Sequence, residues 1–281
     1  MNELFIRSNS VSTLSSTNSL PNTFKGFNSG VIYVKDALVD SYKSASNWNT
    51  FATHIVGISE YPKVLDFSTI NDSWEQIIAA STDGSYDSKY NIGDIKLLID
   101  SDNNPIYMEL VAKDIDQLSD DSGTAHMTWM TKEIPFQYQM NSGLSNTNGW
   151  IASKMRAYLI NTYLPKLTEV ISAIKEVKKT WYDYTTKTTK ISNDTIWIPS
   201  TYEMFTESGA ASSVVEDSGV QYTKFNSNNT RIKDYNGSAA YYWLRSAYTS
   251  SSGYFCYVNS GGYRNGYSAD VSIGAVFGFC I

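Results

Sequence analysis

A chain of 281 residues is long enough to bury a substantial core, so one large domain, or a domain with an appendage, is expected. A formal net charge of -6 argues against a nucleic-acid partner, because phosphate binding needs a basic face. No run of about 18 apolar residues occurs, so no membrane insertion is expected, and the start MNELFIRSNSVSTL has neither the basic nor the apolar region of a signal peptide.

Residues 1–46 are rich in Ser, Asn and Thr, with a short apolar run at Val31 to Val34 and a helical turn near Asp36 to Tyr42. Too few apolar residues occur there for a separate core, so the segment reads as an irregular N-terminal arm, for attachment or oligomerisation, ahead of a domain at 47–281. Phe51 to Ile58 predicts a strand. Asp72 stands three residues before Glu75 and ahead of Ile77, Ile78 and Ala79, which predicts an N-cap and a short helix. Ile95 to Ile99 and Ile106 to Val111 predict a hairpin closed by Asp100-Ser101-Asp102-Asn103-Asn104-Pro105. Oxygen-bearing side chains alternate at 100, 102 and 104, but Pro105 stands where a calcium loop would place Gly, so a polar turn is preferred and no metal is assigned. The acidic run Asp114, Asp116, Asp120 and Asp121 fixes no coordination sphere either.

Ala125 to Met130 predicts another strand. Its His126 and the earlier His54 have no acid or nucleophile patterned around them, and no catalytic residue is assigned. Trp150 to Thr162 predicts a helix with Ile151, Met155, Tyr158 and Leu159 on one face. Pro165 opens a second, carrying Leu167, Val170, Ile171, Ile174 and Val177, with Lys175, Lys178 and Lys179 as its solvated face. Thr195 to Ile198 predicts a strand, and Ser200 with Glu203 forms a capping box for a short helix through Phe205. Residues 206–230 predict a long loop leading to the final segment. Cys256 and Cys280 sit inside apolar runs and read as buried reduced thiols, while two remote His make zinc a poor fit; no cofactor is expected.

The final segment differs from the rest. Between Ser246 and Ile281 there is no Lys, Glu, Gln, Met or Trp, a gap that average usage seldom leaves by chance. Tyr, Ser, Gly and Asn stand instead between apolar anchors, the vocabulary of adaptable binding loops. Randomising the adenines of Asn codons of the AAC type would give Tyr, Ser, Asp, Gly and their like, and could never give the five missing types.

WLRS at Trp243 to Ser246, the run Phe255 to Val258 and the ending Gly278 to Ile281 resemble C-type-lectin-fold variable proteins of diversity-generating retroelements, the group that includes phage tropism determinants. The likeness extends upstream through Tyr90 to Asp94, Gly123 to Trp129, Gly149-Trp150, Ser153 to Arg156 and Arg231 to Lys233, covering roughly residues 74–281. The resemblance implies an α+β C-type lectin fold, small antiparallel sheets flanked by two helices, with a variable-type segment at 243–281. Trp243, Leu244, Phe255, Val258, Ala269, Val276, Phe277 and Phe279 are expected to be core, with Arg245 as a buried hydrogen-bonding anchor. Tyr248, Ser250, Ser251, Tyr254, Tyr257, Asn259, Tyr263, Arg264, Asn265, Tyr267, Asp270 and Ile273 are expected to form one exposed ligand-binding face.

The function implied is recognition without chemistry. The target would be a protein or glycan on a cell surface, and the arm would join a phage tail in a homo-oligomer such as a trimer. Such a protein would be found in the virion, or in the cytoplasm before lysis. The alternatives are a fixed bacterial adhesin or lectin-like domain, and a relative of formylglycine-generating enzymes, which use paired cysteines.

Overall fold

A computed structural model describes residues 3–61, 63, 65–205 and 219–281. The chain divides into two compact units: Met1–Phe67 with Asn236–Ser238, and Ser68–Tyr235 with Ala239–Ile281.

In the first unit, β1 (Glu3–Ile6), β2 (Val31–Val34) and β3 (Ile55–Gly57) form a parallel sheet in that order. Leu4, Ile6, Ile32, Val34 and Ile55 pack on one side against Phe24, Tyr42, Trp48 and Phe51. On the other side Val31, Tyr33 and Val56 meet Leu65, Ile58 and Phe67. The segment is therefore not a coreless arm, and its boundary falls after Phe67 rather than after residue 46. Five of the eleven buried residues of its two clusters lie in the stretch from Trp48 to Leu65, which the sequence pattern assigns to the next domain. The strand expected from Phe51 begins only at Ile55, because Trp48–His54 coils as a 3-10 helix. His54 is buried there, with its ring nitrogens 2.7 Å from the Gly30 carbonyl and 3.1 Å from that of Gly26.

The other strands are β4 (Ile95–Ile99), β5 (Pro105–Lys113), β6 (Met127–Thr131), β7 (Phe136–Tyr138), β8 (Val177–Asp183), β9 (Thr188–Asp194), β10 (Lys233–Tyr235), β11 (Ser238–Ala240), β12 (Tyr242–Ala247), β13 (Tyr254–Val258), β14 (Arg264–Ser268), β15 (Ile273–Ala275) and β16 (Gly278–Cys280). They build a four-stranded sheet, β16-β6-β5-β4, a five-stranded sheet, β14-β13-β12-β15-β7, and two hairpins, β8-β9 and β10-β11. With short helices among them, the architecture is mixed α+β in small sheets.

The expected β4-β5 hairpin is present, and Asp100 closes its turn by accepting from the backbone N–H of Asp102 at 2.9 Å and of Asn104 at 2.8 Å. A helix at Trp74–Asp83 follows Ser73, whose hydroxyl caps Gln76 while the Gln76 side chain returns to the Ser73 N–H at 2.8 Å. The cap is thus one residue later than expected, and Asp72 instead accepts from the Tyr90 hydroxyl at 2.8 Å. His126 stacks on Tyr86 with ring centroids 4.5 Å apart.

The central region departs further from expectation. Lys154–Tyr158 is α-helical and runs on through Leu159–Tyr163 to a last turn at Leu164–Lys166. No second helix follows Pro165; residues 168–173 are successive turns that bury Leu167 and Val170. Val177 belongs to β8, where Val177, Lys179 and Trp181 point inward with the period of two that a strand imposes. Lys179 is therefore core rather than a solvated helix face: it is 1% exposed, bonded to Asp116, Glu203 and the Tyr222 hydroxyl, with its ammonium 3.8 Å from the centre of the Trp197 ring. Thr195 to Ile198 makes only an isolated bridge, Trp197 to Gly278. The Ser200–Glu203 capping box opens a helix at Thr201–Met204 as expected. Of the loop expected at 206–230, residues 206–218 lie outside the described residues, and the remainder includes a helical turn at Asn228–Arg231.

Candidate functional site

The final segment is the frame of the second unit. Along β12 and β13 the side chains alternate between two cores: Trp243 and Phe255 face one, with Ala269, Phe277 and Phe279, while Tyr242, Leu244, Cys256 and Val258 face the other, with Val276. All eight expected scaffold residues are buried. At about 1.5–3 kcal/mol for each fully buried large apolar side chain, this end of the chain anchors the unit instead of decorating it.

Arg245 is the anchor expected. Its guanidinium donates to the Thr180 and Ile198 carbonyls at 2.9 and 3.0 Å and to both Glu203 carboxylate oxygens at 2.6 and 2.8 Å. Burial alone would raise the Glu203 pKa, but Arg245 and then Lys179 hold it down at about 2. Asp116 completes the cluster, accepting from Lys179, from the Tyr222 hydroxyl at 3.1 Å and from the Thr128 hydroxyl at 2.6 Å. Two carboxylates thus balance two cations in the interior.

The twelve expected display residues do not form a single face. β13 and β14 pair with Tyr257 opposite Asn265 and Phe255 opposite Tyr267, so Tyr257, Asn265 and Tyr267 share one side of the sheet. Tyr254 and Arg264 stand on the other side, by the same alternation. There the Tyr248 ring centre lies 6.3 Å from that of Tyr254, and the Arg264 guanidinium sits 5.6 Å from the centre of the Phe205 ring. Tyr254, Tyr263 and Tyr267 are exposed, at 38%, 59% and 37%, as are Ser250, Asn265 and Asp270. Tyr248, Ser251, Asn259 and Arg264 are half-buried.

Two of the twelve are not displayed. Tyr257 is 8% exposed, wedged between Tyr241 and Tyr267 with ring centres 5.2 and 5.4 Å away, and burial pushes its phenol pKa up. Ile273 is also 8% exposed, on β15, which runs between β12 and β7 and turns that side chain into the core. Asn259 shapes the backbone rather than a binding face. Its Oδ1 accepts from the Gly261 and Tyr263 N–H groups at 2.9 and 3.0 Å and closes the turn between β13 and β14. Gly262 in that turn has φ +79°, and a Cβ there would stand 2.1 Å from the Asn228 carbonyl oxygen.

Sequence reasoning missed two contributors. Tyr241, 42% exposed, extends the aromatic patch of Tyr257 and Tyr267, but it precedes the Trp243 start of the resembling segment. Asn146 is fully buried, and its amide donates to the carbonyls of Tyr248, Ser251 and Tyr254 at 3.1, 2.8 and 2.7 Å, pinning the loop between β12 and β13. Its backbone N–H donates to the Ser252 carbonyl at 2.6 Å. One Asn in the polar run Asn141 to Asn148 carries no signal of that role.

Cys256 and Cys280 are buried, in different core clusters, and burial followed by the Asp116 charge pushes the Cys280 thiol pKa well up. Among the described residues no group of three or more His, Cys, Asp or Glu is placed to hold a metal, and no helix is long and apolar enough to cross a membrane.

No curated protein and no solved structure matches the chain. Residues 124–275, more than half of it, match a family described as a domain of unknown function, DUF6273. That span covers β7, β12, β13, β14 and β15, and the chain belongs to the DUF6273 family.

Proposed function

We propose that this protein is a ligand-binding protein whose recognition surface is the β13-β14 hairpin with the loop from Tyr248 to Tyr254. The observation that carries the reading is the split within one segment: its apolar anchors are wholly buried, while Tyr254, Tyr263 and Tyr267 stand exposed between them. Tyr supplies large, stiff contact area at low entropic cost, and Ser250, Ser251 and Asn265 supply short adjustable hydrogen-bonding groups. Exposed positions on a rigid frame change sequence at little cost to stability. Together with the missing residue types, this supports a variable protein of C-type lectin fold diversified by a retroelement, serving as a phage or prophage receptor-binding protein. A repeated display would raise weak single contacts to useful avidity. Buried thiols in separate cores favour recognition over paired-cysteine chemistry.

Replacing Tyr254, Tyr263 and Tyr267 together by Ala should abolish binding to the target cell while leaving thermal melting within a few degrees. Retained binding would sink the proposal. Sequencing the DNA beside the gene tests its origin: a near copy of the 243–281 coding segment, differing almost only at adenines beside a reverse transcriptase, is expected, and its absence would leave a fixed lectin-like domain.

A further inference from the structure

We propose that the N-terminal unit carries a docking cleft for an extended acidic segment of a partner protein. Parallel sheets are ordinarily covered on both faces. The β1-β2-β3 sheet is covered on one face by Phe24, Tyr42, Trp48 and Phe51, but only in part on the other, where Leu65 and Phe67 pack with Val31, Tyr33 and Val56 and leave Phe5 on β1 exposed. There Phe5 stacks on the buried Tyr33, ring centres 4.8 Å apart and planes 15° from parallel, and Tyr61 stands 5.5 and 5.3 Å from those two rings. Phe5 and Tyr61 remain 40% and 53% exposed, large values for aromatic rings with no solvent role. They line an open cleft of about 830 Å³ with Arg7, Lys35 and Ile58.

The charge around the cleft says what fits it. Lys35 is held by the Asn9 side-chain oxygen rather than by an acid. Of the nearby acids, Asp36 accepts from the Ser59 N–H and hydroxyl at 3.2 and 2.7 Å, Glu60 takes Lys63 at 3.0 Å and the Gly57 N–H at 3.3 Å, and Glu3 stands at the opposite end of β1 from Arg7. Among the described residues no carboxylate pairs with Arg7 or Lys35, so two cations border an aromatic floor in a chain whose net charge is -6. An acidic chain would satisfy them, and β1, as an edge strand, offers the extended template along which such a chain could lie. This inference does not rest on the tyrosine-rich hairpin.

The test is to select a displayed library of short random peptides on the full chain, with counter-selection on the Arg7→Glu/Lys35→Glu variant. Recovered peptides should place Asp or Glu beside an aromatic or aliphatic residue. They should lose about tenfold or more in affinity against the variant, and should weaken as salt rises. Both replaced side chains are exposed, so the variant should melt with the wild type, and Arg7→Gln/Lys35→Gln gives the same test if charge reversal disturbs folding. Peptides without acidic bias, equal binding to both proteins, or failure to recover any discriminating peptide would overturn the proposal. Cation-dependent binding to phosphatidylserine vesicles, or self-association lost in the variant, would overturn it in favour of those occupants.

Discussion

Glu203→Gln removes one charge from the centre of the buried network and leaves the shape almost unchanged. In the native protein the carboxylate takes both Arg245 donors at 2.6 and 2.8 Å, Lys179 at 3.1 Å and the Ser200 N–H at 2.9 Å. Its pKa is depressed from 4.5 to about 2, because the two cations outweigh burial. A depressed acid contributes stability that is fully present above the unfolded-state pKa and is lost as pH falls through the folded-state pKa. The gap corresponds to about 3 kcal/mol, in the range of a broken buried ion pair. At pH 7 the variant should therefore unfold with about 3 kcal/mol less free energy and melt roughly 6–12 °C lower. Urea unfolding followed by tryptophan fluorescence reads this directly, since Trp129, Trp150, Trp197 and Trp243 are all buried in the same unit. The gap between variant and wild type should close as pH falls from 5 toward 2. A loss under about 1 kcal/mol at pH 7, or a gap that ignores pH over that window, would refute the assignment of Glu203 as the ionised hub.

Glu133 should behave with the opposite sign. Burial and the nearby Asp234 raise its pKa to about 7, so its contribution is full below 4.5 and lost as pH rises through 7. Glu133→Gln should stabilise the protein by about 1–2 kcal/mol at pH 8 and change little at pH 4, in the same urea assay; equal effects at both would contradict this. Asn146→Ala should cost about 2 kcal/mol and speed amide exchange from Tyr248 to Tyr254, because carbonyls lose their buried donor. Unchanged exchange there would mean that the loop holds itself. Cys256 and Cys280 should react with a thiol reagent only at the rate of unfolding, and fast labelling of either in the native protein would contradict their burial.

Much of the scaffold was legible in the sequence because it is written in local patterns. The Ser200–Glu203 cap, the β4-β5 hairpin and the buried anchors from Trp243 to Phe279 follow from spacing, turn chemistry and apolar runs or from the resemblance. Where two periods fit the same residues, the reading failed: Leu167, Val170, Ile171, Ile174 and Val177 suit a helix, yet the β-branched and aromatic run from Val177 to Tyr182 extends as a strand and carries Lys179 inward. The N-terminal core was illegible because its two halves stand on either side of the boundary drawn after residue 46. Within the candidate site, local patterning gives the display residues as one set, whereas pairing of β13 with β14 divides them between two sides and sends Tyr257 and Ile273 inward. Long-range register decides that, and no local signal carries it.

Among the described residues β14 is the outermost strand of its sheet. Such an edge is a standing template for unwanted strand addition between copies, and the usual defences are charge, glycine and irregularity. β14 reads Arg264-Asn265-Gly266-Tyr267-Ser268, with the Tyr248 ring lying over Gly266 where a Cβ would meet it at 2.6 Å. Replacements at Asn265 and Tyr267 must therefore meet a second criterion besides fit to a target: a run of β-branched apolar residues there would turn a recognition surface into a seed for aggregation. Colloidal behaviour, as much as affinity, sets the limit on which sequences this edge can carry.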